Sequence, residues 1–293
     1  MKKKIIITAP TSVVARNYIK YLDNRYDLVT VGRKNSDIIF DFAKDEQLCI
    51  PDGADAVIHF AGVMRANTPE EICEMVNTNI AGLIKVCAAA KRSKAKQIIY
   101  ISSINATLLK SSPYYGYYSL TKKQGEELAA LYCRKEGLRL CIIRPSQIFG
   151  SDPDYGKTQP LLYLMIKNAL ENKAITIYGN KDVLRNYIYA DNLFRIIDEA
   201  VERQSDDIIN AISSENISLS NAAKVIIDIM GSSSEIVFQK DKSDMEDNAF
   251  YTDLNYFKKW NVPFMPFEDA MEKMVKRLLQ SYIEEQVQDY DRC

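Results

Sequence analysis

The sequence has little glycine, one histidine and no excess of charge, and each shortage excludes a class of protein. Its 293 residues include 11 glycines, without any repeat or low-complexity tract. The 38 basic and 39 acidic residues give a net charge of −1, so nothing favours nucleic acid or an anionic membrane as a partner. Because His59 is the only histidine in the sequence, a metal site built from several imidazoles is excluded.

Two further absences concern the compartment. The six cysteines include no Cys-x-x-Cys pair, and most lie in apolar stretches, so we interpret them as reduced core residues. No uninterrupted apolar run approaches the ~20 residues of a membrane span. Met1–Lys4 resembles the basic start of a signal sequence, but Ile5–Ile7 is shorter than the about 7–15 apolar residues such a segment needs. We expect a cytoplasmic protein with no metal and no membrane partner.

The first half of the sequence alternates between strand-like and helix-like segments. Apolar, β-branched runs occur at 3–8, 27–31, 37–40, 55–60, 97–102 and 138–144, with helical patterns between most of them. This alternation predicts an α/β fold with a doubly wound parallel sheet. Ligands bind such sheets beyond the carboxyl ends of the strands. One crevice could therefore collect the residues that follow the strands: Thr8, Arg33, Asp41, Phe60–Gly62, Ser103 and Gln147.

The pattern changes after residue 150. Prolines and glycines interrupt 151–185, and the one long element there is a helix predicted at about 160–172. Residues 207–212 again have the composition of a strand, preceded by a helical pattern at 191–203. We predict a sheet domain of residues 1–150, to which 188–213 returns, and a smaller lobe formed mainly by 151–293.

The stretch from Gln97 to Lys122 carries the clearest chemical signal. A strand ends at Ser103, and a helix predicted from about residue 115 to 135 places Tyr118 and Lys122 one turn apart on one face. A free tyrosine has a pKa near ~10, and a neighbouring ammonium would lower that pKa. Ser103 could hydrogen-bond the same substrate oxygen. The three side chains would then transfer a proton to or from a hydroxyl or a carbonyl group.

Tyr-x-x-x-Lys is a short pattern, and a sequence with 18 tyrosines is expected to contain roughly one by chance. Tyr163 and Lys167 have the same spacing, but they follow no serine-ended strand and lie in an amphipathic helix. We interpret that second pair as packing residues. The strand and serines before Tyr118 favour catalysis at the first pair.

The turn after the first strand lacks the glycines that a dinucleotide site normally uses. Glycine lets the backbone approach a pyrophosphate at a helix N-terminus. Ala9, Ser12 and Ala15 stand at the three glycine positions of T-G-x-x-G-x-x-G. All three are small, so close approach remains possible, and Ser12 could donate to a phosphate oxygen. Taken alone, the turn reads as an ordinary β–α connection.

The end of the second strand bears on the choice of cofactor. An acid that binds an adenosine ribose 2′-hydroxyl would stand at position 32, which is glycine in this sequence. Arg33 follows, and a guanidinium suits a 2′-phosphate. The combination of Gly32 and Arg33 favours NADP over NAD. The alternative interpretation is that Arg33 is a solvated surface cation.

Taken together, these features resemble the extended short-chain dehydrogenase/reductase family, in its NAD-dependent epimerase/dehydratase branch, over almost the whole chain. The segments that carry the resemblance are Thr8–Ala15, Asp41, His59–Gly62, Asn79, Ser103, Tyr118, Lys122, Arg144–Gly150 and Arg185–Asp191, with Asp253 and Trp260–Pro263 similar to the family's C-terminal signature.

The resemblance implies an NAD(P)-dependent enzyme that acts on a nucleotide-linked sugar, with residues 1–150 as a dinucleotide-binding Rossmann domain and 151–293 mainly as a substrate-binding lobe. Tyr118 would be the acid–base group, Lys122 would hold the cofactor ribose, Ser103 would orient the reacting oxygen, and Asn79 would support a water or the lysine. Arg185 would grip the diphosphate of the substrate, which would also contact Asn105 and Gln147. The cofactor would be bound by Thr8, Ala9, Ser12, Val13, Val14, Arg33, Asp41, Phe42, Phe60, Ala61, Gly62, Tyr118, Lys122 and Pro145.

Several alternatives stay open within this resemblance. The dehydratases of the family place Asp-Glu after the catalytic hydroxyl residue, whereas Ile104 and Asn105 follow Ser103, so we do not expect a dehydratase. A 4-keto-sugar reductase would exchange its cofactor and a 4-epimerase would keep it; Arg33 and the short chain favour the reductase. The chain could also be a non-catalytic NAD(P)-binding sensor or a reductase of a non-nucleotide ketone. The resemblance further implies a homodimer through the helices near 69–92 and 115–135.

Overall fold

The computed structural model describes residues 2–251 and 255–290, so Asp253 lies outside the described residues. The chain divides into two compact units. The first unit ends at Ser146, short of the predicted boundary at residue 150, and takes back Leu193–Ala211. The second unit consists of Gln147–Asn192 and of the residues from Ile212 onwards.

The strands and helices have the following bounds. In chain order the strands are β1 (Lys4–Thr8), β2 (Asp27–Gly32), β3 (Ile38–Ile39), β4 (Ala56–His59), β5 (Gln97–Ile101), β6 (Arg139–Pro145), β7 (Gln147–Phe149), β8 (Ile175–Tyr178), β9 (Leu184–Arg185), β10 (Tyr187–Tyr189), β11 (Ile208–Ala211), β12 (Ile217–Ser218) and β13 (Ile236–Gln239). The α-helices are α1 (Val13–Leu22), α2 (Pro69–Val76), α3 (Leu83–Arg92), α4 (Tyr117–Glu136), α5 (Pro160–Leu170), α6 (Ala190–Arg203), α7 (Leu219–Met230), α8 (Asn255–Trp260) and α9 (Phe267–Tyr290).

A parallel sheet forms the centre of the first unit, with seven described strands in the order β3-β2-β1-β4-β5-β6-β11. Ile5, Ile6 and Ile7 of β1 are fully buried, as expected for a strand covered on both faces. The predicted doubly wound α/β fold is confirmed, and the strand predicted near residues 207–212 joins the sheet as β11. The strand order reverses between β1 and β4, and a crevice opens at such a switch point in open α/β sheets.

The helical stretch between β4 and β5 is interrupted. A π-helical segment, Asn77–Gly82, joins α2 to α3, where the sequence predicted two ordinary helices. By length and composition the whole stretch Pro69–Arg92 could cross a membrane, with a mean hydropathy of 1.2. Leu83, Val86 and Ala90 of this stretch are fully buried in the core of the first unit. A core helix passes the same hydropathy test, so this stretch is weak evidence for a membrane span.

Helix α4 begins at Tyr117, two residues later than predicted, and its ends explain its bounds. The Ser119 hydroxyl accepts a hydrogen bond from the Gly116 N–H at 2.8 Å and so caps the first turn. Gly137 ends the helix with a left-handed φ of 65°, which glycine adopts without a steric cost. Between them, the helix packs against α3 in the core of the first unit.

The second unit has its own core. Among its described residues, short strands pair as β7–β10, β8–β13 and β9–β12, and helices α5, α7 and α9 pack around them. Tyr163, which shares the Tyr-x-x-x-Lys spacing, lies in α5, and its hydroxyl hydrogen-bonds the backbone of Gly150. That contact uses the hydroxyl for packing within this unit.

Candidate active site

The first unit brings Ser103, Tyr118 and Lys122 together. Ser103 follows β5, while Tyr118 and Lys122 lie one turn apart on α4. The Ser103 side chain lies beside the Tyr118 phenol and acts to lower its pKa. The Lys122 Nζ lies 6.0 Å from the centre of the Tyr118 ring and 4.7 Å from that of Tyr100, and it donates a 3.0 Å hydrogen bond to the Ile101 carbonyl. A proton-transfer group, a hydroxyl partner and an ammonium thus share one corner of the sheet.

The electrostatics of this pair differ from the expectation that Lys122 makes Tyr118 acidic. Burial raises the pKa of Tyr118 to about 12, and the Ser103 side chain only partly opposes that rise. Burial also lowers the pKa of Lys122 to about 8, against the attraction of Glu126. Desolvation therefore outweighs the neighbouring ammonium, because removing water disfavours both charged forms. At neutral pH the tyrosine is therefore a protonated phenol.

Asn79 holds two backbone segments in place. It lies in the π-helical segment, almost fully buried, and its Oδ1 accepts from the Val63 N–H at 2.7 Å while Nδ2 donates to the Val63 carbonyl at 2.9 Å. Nδ2 also donates to Thr121 Oγ1 at 3.1 Å, on α4 beside Lys122. π-helical turns occur frequently at functional sites. In this structure Asn79 clamps the loop after β4 to the helix that carries Tyr118 and Lys122.

Thr8 makes a second internal connection. Its Oγ1 accepts from the N–H groups of Phe60 and Ala61 at 2.9 and 3.3 Å, so its own proton goes to His59 Nδ1, 3.0 Å away. The imidazole proton is then on Nε2. Burial lowers the pKa of His59 to about 3, so the ring is neutral. In this structure Thr8 ties the ends of β1 and β4 together, and its contact with the cofactor stays a prediction.

A cleft of about 260 Å³ opens beyond the carboxyl ends of β1, β2 and β4. Its walls contain eight of the residues predicted to bind cofactor: Ala9, Ser12, Arg33, Asp41, Phe42, Phe60, Ala61 and Gly62. Val13 and Val14 form the first turn of α1, directly after Ser12. Pro145 is buried at the end of β6. Most of the predicted cofactor residues thus lie together at the switch point of the sheet.

The loop after β1 keeps the shape that glycine usually provides. Ala9 has a left-handed φ of 52°, which costs a non-glycine residue about 1–2 kcal/mol, and its N–H donates to the Val31 carbonyl at 2.7 Å. Ser12 caps α1 by accepting from the Ala15 N–H at 3.3 Å. The first N–H groups of α1 have no partner within the helix and form an anion site with the helix dipole. The loop therefore fits a pyrophosphate despite its missing glycines.

Close packing accounts for the glycine at the end of β2. A Cβ on Gly32 would lie 2.8 Å from Ser36 Oγ and 3.1 Å from Pro10 Cδ, so a larger residue there would require Ser36 to rotate and Pro10 to shift by a few tenths of an ångström. Arg33 follows with its side chain exposed into the cleft, 3.9 Å from Glu74 Oε1. On the other side of the cleft, a Cβ on Gly62 would lie 3.3 Å from Lys122 Nζ and 3.4 Å from Asn79 Oδ1. Gly62 therefore adds no side-chain atom to the cleft wall beside Lys122, which leaves a flat surface suited to a cofactor ring.

Comparison with known proteins identifies the family. The model of the NAD dependent epimerase/dehydratase family matches residues 5–211. The chain belongs to this family. Its membership confirms the resemblance read from the sequence, and the matched range spans the whole sheet from β1 to β11.

Some relatives of this epimerase/dehydratase-family chain are named for sugars joined to nucleotides, and others are uronate dehydrogenases. A protein of Methanocaldococcus jannaschii, provisionally assigned as a UDP-glucose 4-epimerase, is 23% identical over 264 residues, which are 80% of this chain and 85% of the relative. Two crystal structures share the fold. One is the UDP-glucuronic acid 4-epimerase of Bacillus cereus with UDP-glucuronic acid and NAD, which is 21% identical, has a TM-score of 0.74 and covers 95% of this chain and 100% of its own. The other is the UDP-glucose 4-epimerase of Thermotoga maritima with UDP-glucose, which is 18% identical, has a TM-score of 0.73 and covers 95% of this chain and 99% of its own.

The residues predicted to contact substrate lie in both units of this family member. Asn105 lies in the first unit, in a short 3₁₀ helix directly after Ser103. In the second unit, Gln147 donates from Nε2 to Gln159 Oε1 at 3.0 Å. Arg185 is 5% exposed, and its Nη1 donates to the carbonyls of Leu184 and Glu246 at 2.9 and 2.8 Å. These two bonds occupy one terminal nitrogen of the guanidinium, Nη1.

Several residues of this site were missed from the sequence. The cleft wall also contains Thr11, Gly32, Lys34, Val63, Glu74 and Thr78, and Thr121 orients Asn79. Thr121 directly precedes Lys122, so its position one residue before a catalytic candidate on a buried helix was an available signal. Lys34 and Glu74 gave no signal, because an exposed charge is the ordinary state of such residues.

Proposed function

We propose that this protein transfers hydride at C4 of a nucleotide-linked sugar, with Tyr118 as the acid–base group, and that the net reaction is 4-epimerisation. The observation that carries the proposal is the contact between Ser103 and Tyr118, with the buried Lys122 ammonium one helical turn away. Proton transfer by a positioned side chain contributes typically 10²–10⁴-fold to rate, roughly. A sugar C4 hydroxyl or ketone is a substrate that needs such a group.

The residues have separate tasks in this reaction. Tyr118 donates its proton to a carbonyl oxygen, or takes one from a hydroxyl, while Ser103 holds the same oxygen in line. Lys122 keeps a positive charge beside the phenol and so stabilises the phenolate that donation leaves behind. Asn79 keeps the Val63 backbone and α4 in register. When bound, a nicotinamide cofactor supplies or accepts the hydride, and its oxidised, cationic form would further lower the pKa of Tyr118.

Features of the second unit support a nucleotide-linked substrate. The guanidinium of Arg185 suits a diphosphate, which it would bind through its donors other than Nη1. A separate cleft of about 600 Å³ in this unit is lined mostly by apolar side chains, with the half-exposed ring of Tyr178 and the side chains of Asn168 and Thr176 among them. A flat base with polar edges would match such a lining.

A reductase is the second candidate, and the cleft beside Arg33 is the observation that favours it. Position 32 carries no acid, and Arg33 and Lys34 provide positive charge where a 2′-phosphate would bind. NADPH is the usual donor for reductive steps, so this region supports NADP use. The Methanocaldococcus relative, which aligns with most of the chain, favours the epimerase.

One experiment tests the proposal and separates the candidates. The purified protein is incubated with UDP-glucose, UDP-N-acetylglucosamine and UDP-glucuronic acid, and the C4 epimers are quantified by NMR. We expect an epimer from at least one of them, with no net change in cofactor, and mass spectrometry of the native protein should show retained NAD. Oxidation of NADPH by a UDP-4-keto sugar, without epimer, would favour the reductase.

The remaining alternatives give distinct outcomes. A cofactor that binds without any sugar conversion would overturn the proposed chemistry and favour a sensor. Arg185→Ala should abolish conversion of a nucleotide sugar and leave the reduction of a simple ketone unchanged. We further infer a cytoplasmic homodimer formed through the helices near 69–92 and 115–135, and light scattering of the purified protein would test the dimer.

A further inference from the structure

A buried ion pair lies on α4, one turn beyond Lys122. The Glu126 side chain is 6% exposed, and its carboxylate accepts hydrogen bonds from Arg144 Nε at 3.0 and 3.1 Å and from Arg144 Nη2 at 2.5 Å. The Ser102 hydroxyl donates to the same carboxylate at 2.5 Å. Arg144 lies near the end of β6, and Ser102 follows β5. Glu126 thus joins one helix to the ends of two neighbouring strands.

The spacing places Glu126 in line with the catalytic candidates. Tyr118, Lys122 and Glu126 follow one another at four-residue intervals, so they form one stripe along α4. Two residues at the end of β5 contact this stripe: the Ile101 carbonyl accepts a hydrogen bond from Lys122, and the Ser102 hydroxyl donates one to Glu126. The strand end therefore fixes both the rotation of α4 and its position along its own axis.

Stability alone gives little reason for such an ion pair. Replacing a buried ion pair by apolar residues of similar volume is often neutral or stabilising. Lys122, by contrast, needs nearby negative charge, because it is 3% exposed and burial disfavours an ammonium. A carboxylate one turn away meets that need, and the attraction of Glu126 acts to raise the pKa of Lys122.

The other titratable groups that face Lys122 are neutral at physiological pH. On its own helix, burial raises the pKa of Tyr118 to about 12. From β5, burial holds the pKa of Tyr100 well above its ordinary value, and from β4, burial lowers the pKa of His59 to about 3. The charges around Lys122 therefore come from Glu126 on α4 and from Arg144 on β6, bound to it.

We propose that Glu126 is a positioning residue: its carboxylate, oriented by Ser102 and Arg144, seats α4 against the strand ends and keeps the Lys122 ammonium charged beside Tyr118. The inference rests on the proposed function, which gives Lys122 its task. It assigns to the Ser102–Glu126–Arg144 cluster an electrostatic role in addition to its structural one.

Two substitutions separate the electrostatic role from a merely structural one. Glu126→Gln keeps the shape and an acceptor for Ser102, but leaves the Arg144 cation unbalanced near Lys122. Arg144→Gln leaves the Glu126 carboxylate unbalanced instead. Both break the same ion pair, so a structural role predicts the same kind of change in both. The electrostatic role predicts that the titration of Lys122 moves about one pH unit down in the first variant and up in the second.

The measurement is NMR of protein labelled with ¹³C-lysine, titrated without cofactor or substrate, with the Lys122 signal assigned by its loss in Lys122→Met. Glu127→Gln is the matched control, because Glu127 is the exposed neighbour on the same helix, and we expect it to leave the titration unchanged. In active enzyme, the alkaline limb of the kcat profile should move in the same direction as the NMR titration in each variant.

Equal shifts in the two variants, or no shift in either, would overturn the inference. If Glu126→Gln does not fold, Ser102→Ala keeps both charges and loosens the carboxylate; it should lower kcat several-fold with KM unchanged, and an unchanged kcat would count against the proposal. Opposite shifts of the Lys122 titration in a protein that converts no sugar would support the charge coupling and contradict the proposed function. Activity without opposite shifts would remove the positioning role alone.

Discussion

The candidate site has two parts that differ in how closely they match the expected residue types. One is the end of β5 with helix α4, and the other is the loop between β1 and α1. Around α4, the side chains expected for acid–base chemistry are all present: Ser103 lies beside Tyr118, and Lys122 donates a hydrogen bond to the Ile101 carbonyl. In the loop, none of the three expected glycines is present, yet Ala9 adopts the left-handed backbone that glycine would. The residues proposed to act through their side chains match the family pattern that the sequence resembles, whereas the loop keeps its backbone shape with small residues in place of glycine.

Removing the Tyr118 hydroxyl should cause the largest loss of activity in the first of these regions. Tyr118→Phe should lower kcat by about 10³-fold, because the proton donor is lost while the ring and the fold remain. Cofactor affinity, measured by calorimetry, should change little. Tyr117→Phe is the matched control, since Tyr117 is 53% exposed on the same turn, and it should keep full activity. Comparable activity in the two variants would contradict the assignment of Tyr118.

Replacing the buried ammonium should stabilise the protein. The pKa of Lys122 lies at about 8 in the fold, below its ordinary 10.5, so the unfolded chain binds more protons between these values. The penalty for burying the charge is complete below pH 8 and is relieved as the pH rises toward 10.5. Lys122→Met should therefore raise the free energy of unfolding by about 3 kcal/mol at pH 7, with a gain that shrinks above pH 8.

Urea denaturation at pH 7, 8, 9 and 10 measures this effect. Lys123→Met is the control, because Lys123 is exposed, and it should give no pH-dependent gain. Equal stability of wild type and Lys122→Met at pH 7 would show that the ammonium is not strained by burial.

The cofactor preference can be tested in the cleft beside the loop. Arg33→Ala should weaken NADP binding by about 10-fold, the loss of one charge-assisted contact to the 2′-phosphate, and leave NAD binding unchanged. Calorimetry with both dinucleotides gives the comparison within one protein. Equal loss for NAD and NADP would instead mean that Arg33 has no role in recognising the 2′-phosphate.

The smallest expected effect concerns Ala9 in the loop between β1 and α1. Ala9→Gly removes a methyl group from a left-handed position, so it should tighten dinucleotide binding by about 3-fold and change stability by less than about 1 kcal/mol. Ala15→Gly is the contrasting variant. It lies inside α1, where glycine should lower the free energy of unfolding by about 1 kcal/mol without improving binding. If Ala15→Gly tightened binding as much as Ala9→Gly, the backbone argument would fail.

The sequence was informative where a residue's type and spacing determine its position. The apolar runs predicted the sheet, and the four-residue spacing placed Tyr118 and Lys122 on one face of α4. It was less informative where a contact depends on distant segments. The role of Thr8 as a link to His59, and the bond of Ser102 to Glu126, depend on which strands become neighbours in the sheet.

The acidity of Tyr118 shows a different limit. Spacing indicated that an ammonium stands near the phenol, but the sign of the pKa change depends on how much water the fold excludes. Desolvation raises the pKa of Tyr118, and no pattern of residues in one chain gives its size. Similarly, the left-handed φ of Ala9 carries no signal in the sequence, because alanine normally avoids that conformation.

The π-helical turn at Asn77–Gly82 has a consequence for how this stretch can evolve. Such a turn carries one residue more than an α-helix would, so shortening it by one residue would give a more regular helix. That same deletion would swing Asn79 about 100° around the helix axis, away from the Val63 backbone. Natural variation in this family member should therefore tolerate exchanges of residue type around Asn79 far better than any change in the number of residues.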